Sequence, residues 1–331
     1  MSKQPSKITI DSFNNIDSID LYVNYLCGLR CNHCFIGELL NSNVEMPLEL
    51  AKSIVDKSKS NGVKSITLLG GEPTLYSQII NLINHIVENE IVIRIVTNGQ
   101  KSYQKLISNL SKNILSKLHV CFSIDGSTGT VHDFIRGKGT FLNLVNSIEL
   151  TSSKNILYSG ITSISKDNYY DAASIISLCS KYKMEYLNVH YVTDRGFAKK
   201  EKVLSVEEWL KLCEIIEKEI TDVPVRIEKT FVPISDQITC EVINKRNLIV
   251  DPLGKIYGCT MFMNIKNSES ATWSTNGFEI NNNTMNENCI CSDTQKGCPA
   301  MHLINKEIIN EAGSKGLKID CIFNKTTVEK N

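Results

Sequence analysis

The chain of 331 residues sets 36 Lys+Arg against 36 Asp+Glu, a balance that marks out neither a nucleic-acid groove nor a surface for a strongly acidic partner. Apolar residues make up 42% and mean hydropathy is -0.11, and no apolar run approaches the ~18 residues of a membrane span. The opening stretch MSKQPSKITIDSFNNID has no apolar core or cleavage site of a secretory signal, so the twelve cysteines read as metal chemistry in a reducing cytoplasm rather than as disulfides.

From residue 20 onward, strand-like and helix-like stretches alternate. IDLYVNYL leads into a cysteine loop, and MPLELAKSIVDKSKSNG follows as a helix, with Pro47 suited to its first turn and Gly62 to its end. KSITLLGG is the next strand, and SQIINLINHIVENE is a helix with Ile79, Leu82, Ile83, Ile86 and Val87 on one face. IVIRIVT, LHVCFSI, ILYSGITSI and EYLNVHYV complete six strand–helix units. Such a succession predicts parallel strands and an α/β fold, a partial, open (β/α)6 TIM-like barrel. LSVEEWLKLCEIIEKEI closes it. After about residue 235 the periodicity weakens and six cysteines gather, which predicts a small, loop-rich, cysteine-rich C-terminal domain that metal helps to organise. The expected division is an extension over 1–19, the barrel over 20–204, a connecting helix and linker over 205–235, and the cysteine-rich domain over 236–331.

YLCGLRCNHCF places Cys27, Cys31 and Cys34 in a C-x3-C-x2-C spacing after the first strand. A structural zinc site closes with four ligands, so three thiolates leave one metal position open for something other than protein. GGEPT (70–74) follows strand two, TNG (97–99) strand three, and SIDG (123–126) strand four. In parallel barrels these loops meet at one mouth.

This set resembles the radical S-adenosylmethionine enzymes. SIDGSTGTVHDFIRGKGTF and DRGFA followed by LSVEEW are similar to its SPASM/twitch branch, and the likeness covers the chain from residue 20 onward. The resemblance implies that Cys27, Cys31 and Cys34 hold a [4Fe–4S] cluster whose fourth iron binds S-adenosylmethionine. One electron then yields a 5′-deoxyadenosyl radical that takes hydrogen from the substrate. It further implies Gly70, Gly71 and Glu72 near the methionyl amino group, Ser123 and Arg136 at its carboxylate, and Asn98 near the ribose. The backbone around His33 and Val189 would face the adenine.

Asp125 is open between a turn role and a site role. Cys121 shares strand parity with Ser123, which points it into the barrel, where a hydrogen-atom donor role as in peptide epimerases is one reading. Cys179 and Cys213 read as inert core. Cys240, Gly254 and Cys259 follow the SPASM pattern, whereas Cys289, Cys291 and Cys298 depart from it, His302 stands where a fourth cysteine belongs, and Cys321 fits the last position. Family logic gives Cys289, Cys291, Cys298 and Cys321 to one auxiliary cluster. Cys240 and Cys259 belong to a second that His302 completes, that keeps an open site, or that is absent. One or two auxiliary [4Fe–4S] clusters are expected, and a zinc-only domain is the remaining reading.

The expected function is post-translational modification of a ribosomally made precursor peptide, by crosslinking, cyclisation or epimerisation at an unactivated carbon. A small-molecule radical oxidase or epimerase, for example on an aminosugar, is the alternative. Thr260 after Cys259, where sulfatase maturases carry an acid, weighs against that activity. A non-catalytic iron–sulfur scaffold would form no deoxyadenosine. The short stretch before the first strand leaves a peptide to be recruited by a separate leader-binding protein or a docking surface. A flavodoxin- or ferredoxin-type electron donor is implied, with no nucleic-acid or membrane partner. Asp194, Glu241 and Tyr191 are expected near the mouth.

Overall fold

The computed structural model describes residues 16–218, 222–228, 230–236, 238, 247–263, 269, 271–274, 277–279, 306–321 and 325–328. Six strands run parallel in chain order: β1 (Ser18–Asn24), β2 (Ser65–Gly70), β3 (Val92–Thr97), β4 (Leu118–Ser123), β5 (Leu157–Ile164) and β6 (Leu187–Tyr191). Helices α1 (Leu48–Ser60), α2 (Ile79–Glu88), α3 (Lys101–Asn109), α4 (Lys112–Leu115), α5 (Gly129–Arg136), α6 (Thr140–Ser153) and α7 (Ala172–Lys181) fill the crossovers, and α8 (Val206–Lys218) follows β6.

Alternation sorts the strand faces. Ile19, Leu21 and Val23 of β1, and Ile93 and Ile95 of β3, have no exposed surface and pack among the helices. Asp20, Tyr22 and Asn24, Arg94, and His119, Cys121 and Ser123 fall on the opposite, inner face. The five α2 residues assigned to one face are all buried, each contributing roughly 2 kcal/mol of apolar transfer. Pro47 caps α1 rather than sitting in its first turn. Its carbonyl still accepts from Ala51 N at 3.0 Å.

The sheet extends beyond six strands. β7 (Val225–Glu228) joins β6 in parallel, and β9 (Asn247–Val250) joins β1 in parallel. β10 (Lys255–Tyr257), β11 (Ala271–Ser274) and β12 (Gly277–Glu279) continue that edge antiparallel. On the other edge β14 (Lys325–Val328) runs antiparallel to β7, while β8 (Phe231–Pro233) and β13 (Leu317–Ile319) pair separately beside α9 (Lys306–Ser314). The change of sequence texture near residue 235 therefore does not coincide with a break in the sheet. Strands of three or four residues are too short to register as periodicity. Among the described residues no helix is long and apolar enough to cross a membrane.

Candidate active site

The cysteine loop leaves β1 and lies against three other loops. Cys31 is buried, while Cys27 and Cys34 are half-buried. Cys34 N donates to Cys31 O at 3.0 Å, and Arg30, exposed, folds its guanidinium back onto the carbonyls of Cys27 and Leu29, both at 2.9 Å. Burial pushes the free thiols up, Cys27 to about 12 and Cys31 to about 11. Thiolates here need a cation beside them. Three cysteine thiols on one loop are a donor set suited to a cubane, whose three thiolates bind three different irons.

Glu72 is a strut. Its carboxylate is buried, and Oε1 accepts from Thr74 N at 3.2 Å, Thr74 Oγ1 at 2.7 Å and Thr97 Oγ1 at 2.8 Å. Oε2 accepts from Asn98 N at 2.8 Å, and the Glu72 N–H donates to Leu26 O at 2.6 Å. One residue thus joins the loops after β1, β2 and β3. Burial raises its carboxyl pKa against these bonds. The backbones come so close that a Cβ on Gly71 would lie 2.4 Å from Leu26 O, which explains the glycine.

Asn24 was not singled out by the sequence reading. It is fully buried at the end of β1; Nδ2 donates to Glu72 O at 3.1 Å, and Oδ1 has no hydrogen-bond partner. A polar residue closing β1 three positions before Cys27 is the signal that could have found it. An orphaned acceptor beside Gly70, Gly71 and Glu72 is where an ammonium fits.

Asp125 is a hub, which settles its open role. Its side chain has no exposed surface; Oδ2 takes the Arg136 Nε–H and lies 2.7 Å from His33 Nε2, and Oδ1 accepts from Ser163 N at 2.9 Å. Burial alone would raise this carboxyl, but the Arg136 guanidinium, with His33 beside it, holds it well below the usual carboxylate range. Arg136 also reaches Cys31 Sγ at 3.9 Å, and Asn98 Nδ2 reaches Cys27 Sγ at 3.9 Å. The Ser123 hydroxyl makes no hydrogen bond among the described residues. Val189 turns its side chain into the core, leaving only backbone to face a ligand.

DRGFA seats the cysteine loop from the other side. Phe197 N donates to Cys34 O at 3.0 Å. Gly196 holds φ +61 with its Cα so near that a Cβ would lie 2.1 Å from Cys34 O. Asp194 lines a cavity of about 670 Å³ with Arg195, Glu38, Asp251 and Lys255. Tyr191 does not face the mouth: its hydroxyl donates to Leu204 O at 2.6 Å and its ring packs on Trp209.

As parity predicts, Cys121 lies on the inner face, and Cys179 is core; Cys213 is half-buried against the core. Cys259 and Cys321 are both buried, and Tyr22 lies within electrostatic reach of Cys34 and Cys259. Cys240, Glu241, Cys289, Cys291, Cys298 and His302 lie outside the described residues.

Residues 21–179 match the model of the Radical SAM superfamily. It is similar to mycofactocin maturase MftC of Mycolicibacterium smegmatis, 25% identical over 48% of this chain and 41% of that protein. It is also similar to the subtilosin biosynthesis protein AlbA of Bacillus subtilis, 21% identical over 72% of this chain and 54% of that one. The matched region thus spans about half or less of the length of these relatives. In fold it resembles Streptococcus suis SuiB, solved with its precursor peptide SuiA, at TM-score 0.65 and 18% identity, over 77% of this chain and 62% of SuiB.

Proposed function

We propose that the protein is a radical S-adenosylmethionine enzyme that modifies a ribosomally made precursor peptide, by crosslinking, cyclisation or epimerisation at an unactivated carbon. The observation that carries the radical chemistry is the cysteine trio set between two buried carboxylates, Glu72 and Asp125, each fixed by a different loop. The peptide substrate is supported by what the relatives are named for.

Cys27, Cys31 and Cys34 would hold a [4Fe–4S] cluster, with S-adenosylmethionine at its open iron. Bound there, the pair supplies one-electron cleavage of a sulfonium and hydrogen-atom abstraction from carbon. The Asn24 Oδ1 and the Glu72 carboxylate, with the carbonyls of Gly70 and Gly71, receive the methionyl ammonium. Arg136 keeps guanidinium donors free after giving Nε to Asp125, and with Ser123 it holds the methionyl carboxylate. Asn98 serves the ribose, and the backbone at His33 and Val189 serves the adenine. Asp125 fixes the angle of Arg136 and ties it to the cysteine loop through His33.

Residues 236–331 carry one or two auxiliary [4Fe–4S] clusters on Cys240, Cys259, Cys289, Cys291, Cys298 and Cys321, with His302 as the substitute ligand. A flavodoxin- or ferredoxin-type donor supplies electrons, and a separate leader-binding protein recruits the peptide. The reducing cytoplasm is the compartment we propose, in keeping with cysteines that serve as metal ligands. The test is iron and sulfide content after anaerobic reconstitution, with deoxyadenosine measured after reduction. Replacing Cys27, Cys31 and Cys34 together by Ala removes about four irons and all deoxyadenosine. Unchanged iron in that variant overturns the reading.

A further inference from the structure

The proposed cofactor contacts come mainly from the cysteine loop and the loops after β2, β3 and β4, which fill one half of the barrel mouth. The inner wall of the other half is built by β6, β7 and β14, and it carries a chain of polar groups that the radical chemistry does not use. Tyr191 N donates to Glu228 Oε2 at 2.8 Å, and Glu228 Oε1 lies 2.5 Å from His190 Nδ1. His190 Nε2 lies 3.2 Å from Lys325 Nζ.

A consistent proton assignment follows. The carboxylate of Glu228, only 3% exposed, takes the Nδ1–H and leaves Nε2 as the acceptor for the lysine ammonium. Lys325 stands directly opposite Glu228 in the β14–β7 ladder, and it feels Cys121 of β4 and Asp20 of β1 across the hollow. An ammonium has three donors, and among the described residues His190 Nε2 is the one acceptor that Lys325 reaches.

Among the described residues, the inner faces of β1, β3, β7 and β14 carry two carboxylates, Asp20 and Glu228, against three cations, Arg94, Arg226 and Lys325, one positive charge in excess at this level of the hollow. Arg226 is stacked on the Tyr186 ring at 3.8 Å and Arg94 is bonded to Ser65 Oγ at 3.3 Å, whereas Lys325 is the cation of the three that the His190–Glu228 pair holds. Burial pulls its pKa down, and the carboxylates of Glu228 and Asp20 do not restore it. A half-buried ammonium held by one imidazole nitrogen, on inner faces where the described cations outnumber the described carboxylates, is the recognition half of an ion pair.

We propose that Lys325, positioned by His190 and Glu228, binds a carboxylate of the substrate peptide inside the barrel. This rests on the peptide reading above. The carboxylate is either an acidic side chain or the peptide's C-terminus, and the test separates the two.

The probe is pyridoxal 5′-phosphate, an anionic aldehyde, applied to the reconstituted full chain at pH 7.5, trapped by borohydride and mapped by mass spectrometry. Lys325 is expected to label faster than the exposed Lys154. Acetyl-Ala-Glu-Ala-amide offers only a side-chain carboxylate, acetyl-Ala-Gln-Ala acid only a terminal one, and acetyl-Ala-Gln-Ala-amide neither. Either acid, or both, should slow Lys325 labelling about tenfold, a shift of ~1.4 kcal/mol, and the one that protects names the source. No label at Lys325, protection by neither acid, or equal protection by the neutral peptide overturns the proposal. Labelling needs neither a reduced cluster nor S-adenosylmethionine, so its failure leaves the radical reading standing. Unchanged iron in the cysteine variant would remove that reading without touching the label.

Discussion

The two halves of the barrel mouth handle buried charge in opposite ways. On the β2–β4 side, Glu72 accepts four hydrogen bonds and Asp125 is matched by Arg136, His33 and the Ser163 N–H. On the β6–β7–β14 side, Lys325 rests on one imidazole nitrogen. Carboxylates tied by several hydrogen bonds each rigidify their surroundings, so Glu72 and Asp125 set the first half as a socket before any ligand arrives. The second half is completed only by what enters.

Asp125→Asn is the strongest way to break that contrast. It leaves the Arg136 guanidinium buried without its anion, and removing one partner of a buried pair costs about 3–5 kcal/mol. Urea unfolding should show this loss, and the iron bound at Cys27, Cys31 and Cys34 should fall with it because His33 and Arg136 lose their common anchor. A cost under about 1 kcal/mol would mean that the socket is not held by Asp125.

The same socket predicts a pH dependence. His132 has no exposed surface; its Nδ1 accepts from Asp125 N at 3.2 Å and its Nε2 has no partner. Burial, reinforced by Arg136, holds its pKa down at about 4. The unfolded chain takes up that proton first as pH falls from ~6.5. Stability is therefore full above about 6.5 and declines toward about 4, by about 3 kcal/mol in all. Asp125, whose carboxyl is held low, keeps its contribution through this window and loses it only in strong acid. Urea midpoints between pH 7 and pH 4.5 measure the slope, and His132→Gln should flatten it.

Gly196→Ala tests the seat of the cysteine loop from outside the charge network. The added methyl meets Cys34 O at φ +61, and such strain costs of order 1–3 kcal/mol. The expected result is a stability loss of about 2 kcal/mol with reduced iron at the trio. An unaffected iron content would show that DRGFA packs beside the loop without setting it.

These sites differ in how far the sequence discloses them. Six strands, the cysteine loop, GGEPT and SIDG are legible because alternation and spacing are local properties of the chain. Asp125 stays open between a turn role and a site role until His33, 92 positions earlier, is found against it. Asn24 closes a strand that already carries Ser18 and Asp20, and Gly196 is explained only by a carbonyl from another loop. The edges of the sheet were missed for a different reason: β7, β9 and β14 have four residues each, below the length at which a period of two can be told from chance. Lys325 came into the barrel by that unseen edge.

Lys325→Met therefore gives the smallest effect and the finest test of the comparison. Glu228 keeps the Tyr191 N–H and His190 Nδ1. The ammonium removed was short of anions, and methionine fills most of the space of the lysine stem. Unfolding in urea should change by less than about 1 kcal/mol, against the several lost in Asp125→Asn. A loss as large as that of Asp125→Asn would make Lys325 a structural partner of Glu228 as Arg136 is of Asp125. The two halves of the mouth would then be built alike, and the excess charge of the hollow would have to be assigned to Arg94 or Arg226.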